Sequence, residues 1–234
     1  MRVLITGGGC EEPIDNVRFI ANFSSGKTAS FLADRFASRG HEVTALMAHR
    51  AEKPSSPVRV VVFRAYRDLS ETLRSLLGDE DFDLVVHAAA VSDFTPESIV
   101  VDGVSTPAGP AGKVESGSEA IIRLRENPKL IDGLKSWSRN ERCAVVGFKL
   151  TVGAGERERE GAARALLERS RADLVVSNDR SEIAADAHPF ACYALAADGS
   201  LTRARRGRTK RDLADFLEAE CAKWMRIRIK EQPL

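Results

Sequence analysis

The chain has 234 residues, 43% apolar and 29% charged, with 35 basic against 34 acidic side chains for a net charge of +1. That is the balance of an ordinary globular domain, and it supplies no global field to attract nucleic acid or a membrane surface, so neither is expected as a partner. Cys10, Cys143, Cys192 and Cys221 lie far apart with no CxxC pair, which argues against a structural zinc site and against a disulfide framework.

The first predicted strand, residues 3–5, has no signal-peptide pattern ahead of it, and no apolar run approaches the ~20 residues of a membrane helix. A reduced, cytoplasmic setting is expected. The strand runs into Gly7, Gly8 and Gly9, and a polar excursion follows with Asp15, Arg18, Asn22, Ser24 and Ser25. A helix over 26–38 shows apolar residues at helical spacing and ends at Arg39-Gly40. Strands are predicted at 43–47 and 59–63, a helix at 68–77, and a strand at 84–88. Asp102-Gly103 between β-prone residues reads as a hairpin over 99–105, and the Pro-, Ala- and Gly-rich stretch 106–112 reads as mobile. A helix over 127–136 would use Asn127 as N-cap and Pro128 at its first position. Then come a strand at 144–148, a helix at 156–169, a strand at 174–177, a hairpin over 190–203 around Asp198-Gly199, and a helix at 210–226. The basic run 203–211 reads as a solvated loop before that helix.

Short apolar strands alternating with helices give an α/β fold, a doubly wound, mostly parallel Rossmann-like sheet with appended β-hairpins. We expect one domain over 1–234, with a flap around 95–116 and a hairpin around 188–206.

A strand ending in glycines is how nucleotide-binding α/β domains open, because glycine lets the backbone approach a phosphate closely. The dinucleotide spacing G-x-G-x-x-G fails here, since Cys10, Glu11 and Glu12 follow. Ala21-x4-Gly26-Lys27-Thr28 is a near miss to a P-loop, with Ala for the first Gly. A P-loop also wants a core strand leading directly into it and a second strand ending in a metal-binding Asp, whereas 84–86 runs into His87. The plain reading is a helix N-terminus, at which Ser24, Ser25 and Gly26 suit an anion in any case. A P-loop NTPase or kinase using Gly26-Lys27-Thr28, or a nucleotide-binding module without catalysis, stays as the alternative.

His87-Ala88-Ala89-Ala90-Val91-Ser92-Asp93-Phe94 ends the fourth strand, where ligands of open α/β sheets bind. Ala89 and Ala90 would let a ligand lie against backbone, with Asp93 at the strand's mouth. Lys113, in Gly112-Lys113-Val114-Glu115-Ser116, follows the mobile stretch and could close over a phosphate. Phe148 ends the fifth strand and Asn178-Asp179 the sixth. The four histidines form no ligand pair, and no metal ligand is assigned. Short-chain dehydrogenase chemistry needs Tyr-x-x-x-Lys, but Tyr66 is followed four on by Ser70 and Tyr193 by Ala197.

Together these residues make the chain resemble the phosphopantothenoylcysteine synthetases. The matching segments are Ile-Thr-Gly-Gly-Gly, Glu-Pro-Ile-Asp, Val-Arg-Phe-Ile-Ala-Asn-Phe-Ser-Ser-Gly-Lys, His-Ala-Ala-Ala-Val-Ser-Asp-Phe, Gly-Lys-Val-Glu-Ser, Asn-Pro-Lys-Leu-Ile, Val-Gly-Phe-Lys-Leu and Val-Ser-Asn-Asp, in family order across nearly the whole chain. The resemblance is to the stand-alone bacterial type. It implies joining 4′-phosphopantothenate to L-cysteine through an acyl-cytidylate made from CTP, with ATP not excluded, with Mg²⁺ held through the triphosphate, and in a homodimer. It implies that Asn22 binds the intermediate and that Arg18 binds substrate. It further implies that Lys113 is the flap lysine, that Asp93 holds the nucleotide, and that Phe148 lies near the base. Cys10 stands where the family usually has Thr, which would remove a hydroxyl contact to phosphate. Thr28-Ala29 replaces the usual Met-Gly.

Overall fold

The computed structural model describes residues 1–110, 113, 119–184 and 186–230. Strand β1 (Arg2–Gly7) is apolar on both sides, and Val3, Leu4 and Ile5 are fully buried. A polar loop folds into the small hairpin β2 (Glu11–Pro13) and β3 (Phe19–Ala21) before α1 (Lys27–Ser38) begins. Ala29, Leu32, Ala33 and Phe36 recur at helical spacing and bury one face of α1. Gly40 then ends it in the left-handed region, at φ 81. Next come β4 (Glu42–Ala48), β5 (Arg59–Phe63), α2 (Tyr66–Asp79) and β6 (Leu84–His87).

Three antiparallel strands follow as a separate sheet, β7 (Phe94–Val101), β8 (Val104–Pro107) and β9 (Ala120–Glu126), in the order β8-β7-β9. The chain rejoins the main layer through α3 (Leu134–Trp137), β10 (Ala144–Thr151), α4 (Glu156–Ser170) and β11 (Leu174–Asp179). It closes with β12 (Phe190–Leu195), β13 (Leu201–Gly207) and α5 (Lys210–Lys230).

The main sheet runs β13-β12-β11-β10-β6-β1-β4-β5, and β5 to β11 are parallel. The chain leaves β1 toward β4 and β5, then crosses back to β6 on the other side. The strand order therefore reverses between β1 and β6, and the crevice at their carboxyl ends is where such folds bind ligands. Helices α1 and α5 pack together, while α2, α3 and α4 form a second contiguous group, so the sheet is doubly wound as expected.

Several local expectations need correction. Helix α2 starts at Tyr66, ahead of Asp68, because the Asp68 carboxylate works from inside the first turn and accepts from the Arg64 and Ala65 amides at 3.1 and 3.0 Å. The helix expected over 127–136 is instead a 3₁₀ turn (Leu130–Gly133) leading into the one-turn α3. Asn127 is no N-cap. Its side chain is buried, donates to the Ser92 carbonyl at 3.1 Å and accepts from the Thr95 hydroxyl at 3.1 Å. The hairpin around Asp198-Gly199 forms, but it extends the main sheet as antiparallel strands. Arg203–Gly207 therefore lies in β13 and is no loop; Arg203 and Arg206 both reach Glu156. The Asp102-Gly103 turn forms between β7 and β8, whereas β9 was not anticipated. Of the stretch expected to be mobile, Thr106 and Pro107 belong to β8, and residues 111–112 lie outside the described residues.

Candidate functional site

The loops leaving β1 and β6 are joined at the switch point. Gly9 and Ala90 form a single parallel bridge, the Ala90 amide donates to the Gly8 carbonyl at 2.8 Å, and the Cys10 amide donates to the Ala90 carbonyl at 3.2 Å. Asn22 adds the third side, its Nδ2 donating to the Val91 carbonyl at 2.9 Å. A Cβ on Gly9 would lie 2.3 Å from the Asn22 carbonyl oxygen, so this approach of two backbones requires glycine. Gly8 and Gly26 take positive φ, at 87 and 74, and a Cβ on either would lie 2.6 Å from the Ala51 Cβ. Gly7 faces the Ala29 Cβ. The glycines first satisfy the protein's own packing of loop, α1 and the turn after β4. That packing in turn presents the loop backbone to the crevice.

A groove of about 350 Å³ opens there, lined by Gly9, Asn22, Ser24 and Ser25 with Phe19 and Arg50 opposite. Arg50 was not foreseen. Its Nε lies 2.8 Å from Glu11, and its guanidinium sits 4.8 Å over the Phe19 ring. Arg64 shares the same Glu11 at 3.1 Å, so two cations meet one carboxylate at this rim and leave a positive excess. The legible signal was position, since Arg50 stands just past the carboxyl end of a parallel strand. Glu12 was also missed. It is buried, accepts from the Tyr66 amide at 2.7 Å and the Thr95 hydroxyl at 2.9 Å, and so clamps the start of α2 to β7. Burial pushes its carboxyl up.

Other expected residues stand as follows. Asp15 builds the turn, accepting from the Val17 and Arg18 amides at 2.8 and 2.6 Å and from the Arg18 guanidinium at 3.2 Å. Arg18 is thus held by Asp15 on the loop's exposed side. Ala89 uses its amide on the Thr6 hydroxyl at 3.2 Å, so neither Ala89 nor Ala90 has a spare N–H for a ligand; what they offer is small side chains. Asp93 is exposed and ion-paired with Lys129 at 2.6 Å. Phe148 is half-buried and, contrary to expectation, does not end its strand, because β10 pairs with β11 as far as Thr151; it stands two strands along the sheet from β1. Lys113 is exposed, while Gly112, Val114, Glu115 and Ser116 around it lie outside the described residues. Cys10 is fully buried and its thiol is pushed up to about 12 by that burial, so it is an uncharged core group. Among the described residues no three His, Cys, Asp or Glu side chains converge to hold a metal ion. The segment before α1 comes from β3, which pairs only with β2, so Gly26-Lys27-Thr28 lacks the core strand that a P-loop requires.

Residues 1–224 match the family described as DFP, DNA/pantothenate metabolism flavoprotein C-terminal domain. The chain belongs to this family. It is 34% identical over 224 residues to the coenzyme A biosynthesis bifunctional protein CoaBC of Thermococcus kodakarensis, covering 96% of this chain and 51% of that one. It is 33% identical over 181 residues to the CoaBC of Methanocaldococcus jannaschii, covering 77% of this chain and 41% of that one. The chain thus spans about half the length of these relatives. Its fold superposes on the crystal structure of the DNA/pantothenate metabolism flavoprotein from Streptococcus pneumoniae with a TM-score of 0.83 at 27% identity, covering 96% of this chain and 99% of that one. A Cab2 variant in complex with phosphopantothenate-cysteine shares the fold at a TM-score of 0.73 and 21% identity, over 96% of this chain and 87% of that one.

One titratable group lies directly beneath the DFP-domain crevice. His87 is buried, with Nδ1 2.9 Å from the Thr6 hydroxyl, and burial lowers its pKa to about 4. The unfolded chain titrates such a group near 6.5. Between those values the unfolded state binds the proton and the native state does not, so stability falls as pH drops from about 6.5 toward 4 and is unaffected above. By pH 5 the expected loss from this group is about 2 kcal/mol. NMR of the His87 ring should show no protonation above about pH 5. A midpoint near 6.5 would show the ring to be hydrated.

Proposed function

We propose that this chain is a phosphopantothenate–cysteine ligase. It joins 4′-phosphopantothenate to L-cysteine in the steps that supply coenzyme A, through an acyl-cytidylate formed from CTP. The observation that carries this is Asn22 pinned between the glycine loop and the mouth of β6 by its bond to the Val91 carbonyl. Family membership and the phosphopantothenate-cysteine held by Cab2 on the same fold support it.

In the first step a carboxylate oxygen of 4′-phosphopantothenate attacks the α-phosphorus of CTP and pyrophosphate leaves. In the second, the cysteine amine attacks the acyl carbon and CMP leaves. The loop at Gly7 to Gly9, with Ser24, Ser25 and the N-terminus of α1 at Gly26, would cradle phosphate, with Arg50 adding positive charge at the rim. Ala89, Ala90, Asp93 and Phe148 would border the nucleoside, Arg18 the substrate, and Lys113 the charge on the phosphates. Mg²⁺ bound with the triphosphate would neutralise charge on the leaving pyrophosphate. Pyrophosphate release that needs CTP and phosphopantothenate, followed by amide formation that needs cysteine, is the expected result. Replacing CTP with ATP in the same assay decides the base. Turnover of either nucleotide without phosphopantothenate would favour an NTPase instead.

We also propose a cytoplasmic homodimer. No helix among the described residues is long and apolar enough to cross a membrane. The three-stranded sheet exposes Phe94, Val104, Ile122 and Leu124, which the pairing register puts on one apolar face that a second copy would cover. Light scattering should give a dimer, and Leu124→Lys should shift it toward monomer. Mixing Asn22→Asp with Lys113→Gln subunits should restore part of the activity if a site draws those residues from different chains. A fully active wild-type monomer would rule the dimer out.

A further inference from the structure

A larger cavity, of about 450 Å³, lies between the start of α4 and the β12–β13 hairpin. It shares no lining residue with the groove at Gly9. Nothing in the ligase reading uses it. Its floor is the Ala191 and Tyr193 side chains, which the pairing register puts on the same face as Ser177. Ser177 of β11 also lines it. That side chain is 3% exposed, and its hydroxyl has no hydrogen-bond partner among the described residues. A buried hydroxyl left unsatisfied is unfavourable, and a ligand acceptor at that point would satisfy it.

The walls say what kind of ligand. The 15-residue α4 (Glu156–Ser170) follows Gly155 as N-cap, no side chain caps its first amides, and its N-terminal residues Gly155 and Glu156 line the cavity. Two acidic side chains are present, and both are already engaged. Glu182 is held bidentately by Arg159, at 2.9 and 2.7 Å. Glu156 is drawn aside by Arg203 and Arg206. Arg208, on the same wall, has no ion pair among the described residues. The cavity therefore offers one unneutralised guanidinium, one unpartnered hydroxyl and a helix N-terminus above an apolar floor.

We propose that this cavity is a second ligand site. It takes a small organic anion whose carboxylate or phosphate sits between the Ser177 hydroxyl and the Arg208 guanidinium, with its apolar body on Tyr193 and Ala191. The size is that of ordinary small-molecule pockets. Occupancy would tie the antiparallel hairpin to α4, two elements that meet the parallel sheet at its edge.

The test uses the full chain labelled with ¹⁵N, with phenyl phosphate and benzoate as probes and benzyl alcohol as the neutral control. Saturable shifts are expected at the amides of Gly155, Ala191 and Gly207 with an anionic probe, and the stronger of the two anions identifies the headgroup. Ser177→Ala and Arg208→Gln should each weaken that binding about tenfold, while neither variant melts below wild type, Ser177→Ala because it removes a hydroxyl that has no partner in the free protein. Arg208→Lys, which keeps the charge, should restore part of it. The proposal fails if neither anion gives saturable shifts, if the shifts fall at Gly9 and Ser25 instead, if benzyl alcohol binds as well, or if both variants bind like wild type.

Discussion

Asn22→Asp should leave pyrophosphate release from CTP largely intact while amide formation falls by about 10²–10³, so that the acyl-cytidylate accumulates. Two physical effects act together. The amide Nδ2 that now donates to the Val91 carbonyl at 2.9 Å becomes a second acceptor facing that oxygen, and the tie across the crevice is lost. The new carboxylate also places negative charge beside a phosphoanhydride, where attack by the cysteine amine requires the acyl oxygen to be stabilised as it gains charge. Rapid quench with labelled phosphopantothenate separates the two steps. A proportional fall in both would show that Asn22 only braces the loop. A normal amide yield would remove it from the site.

The fold was legible because its signals are local and repeated. Short runs such as Leu84–His87 and Leu174–Asp179 are buried along their whole length, and no amphipathic alternation competes with that reading. The strand order follows from right-handed crossovers once the helices between them are recognised. What was illegible depends on partners distant in sequence. Asn127 and Pro128 looked like a helix start because the pair favours one locally, but Asn127 satisfies its amide on Ser92 and Thr95 more than 30 residues upstream. Strand β9 is exposed along its length, so it carries no burial pattern to betray it. The phosphate reading of the glycine run left out its role in packing. Its closest neighbours are Ala29, Ala48, Ala51 and the Asn22 carbonyl, so the glycines serve chain packing before any phosphate arrives. Arg50 escaped notice because it stands in no motif, and Glu12, although it opens the Glu-Pro-Ile-Asp segment, because its partners Tyr66 and Thr95 lie more than 50 residues away.

Lys113→Gln should suppress pyrophosphate release and amide formation together, each by about 10²–10³, with little change in melting temperature. The side chain is exposed in the free protein, so its loss removes no packing. Its effect should therefore arise only when triphosphate is bound and charge moves onto the departing pyrophosphate. A glutamine can still donate a hydrogen bond but carries no charge, so it isolates the electrostatic contribution. The lysine acts on the first step and Asn22 on the second, so the two variants should differ in kind: one stalls before pyrophosphate leaves, the other after. Lys113→Arg, which restores the charge with a different shape, should recover part of the rate. Pre-steady-state pyrophosphate release decides the matter. An unchanged burst in the glutamine variant would make Lys113 a solvated surface residue and turn the test to Arg50, the cation that lines the groove.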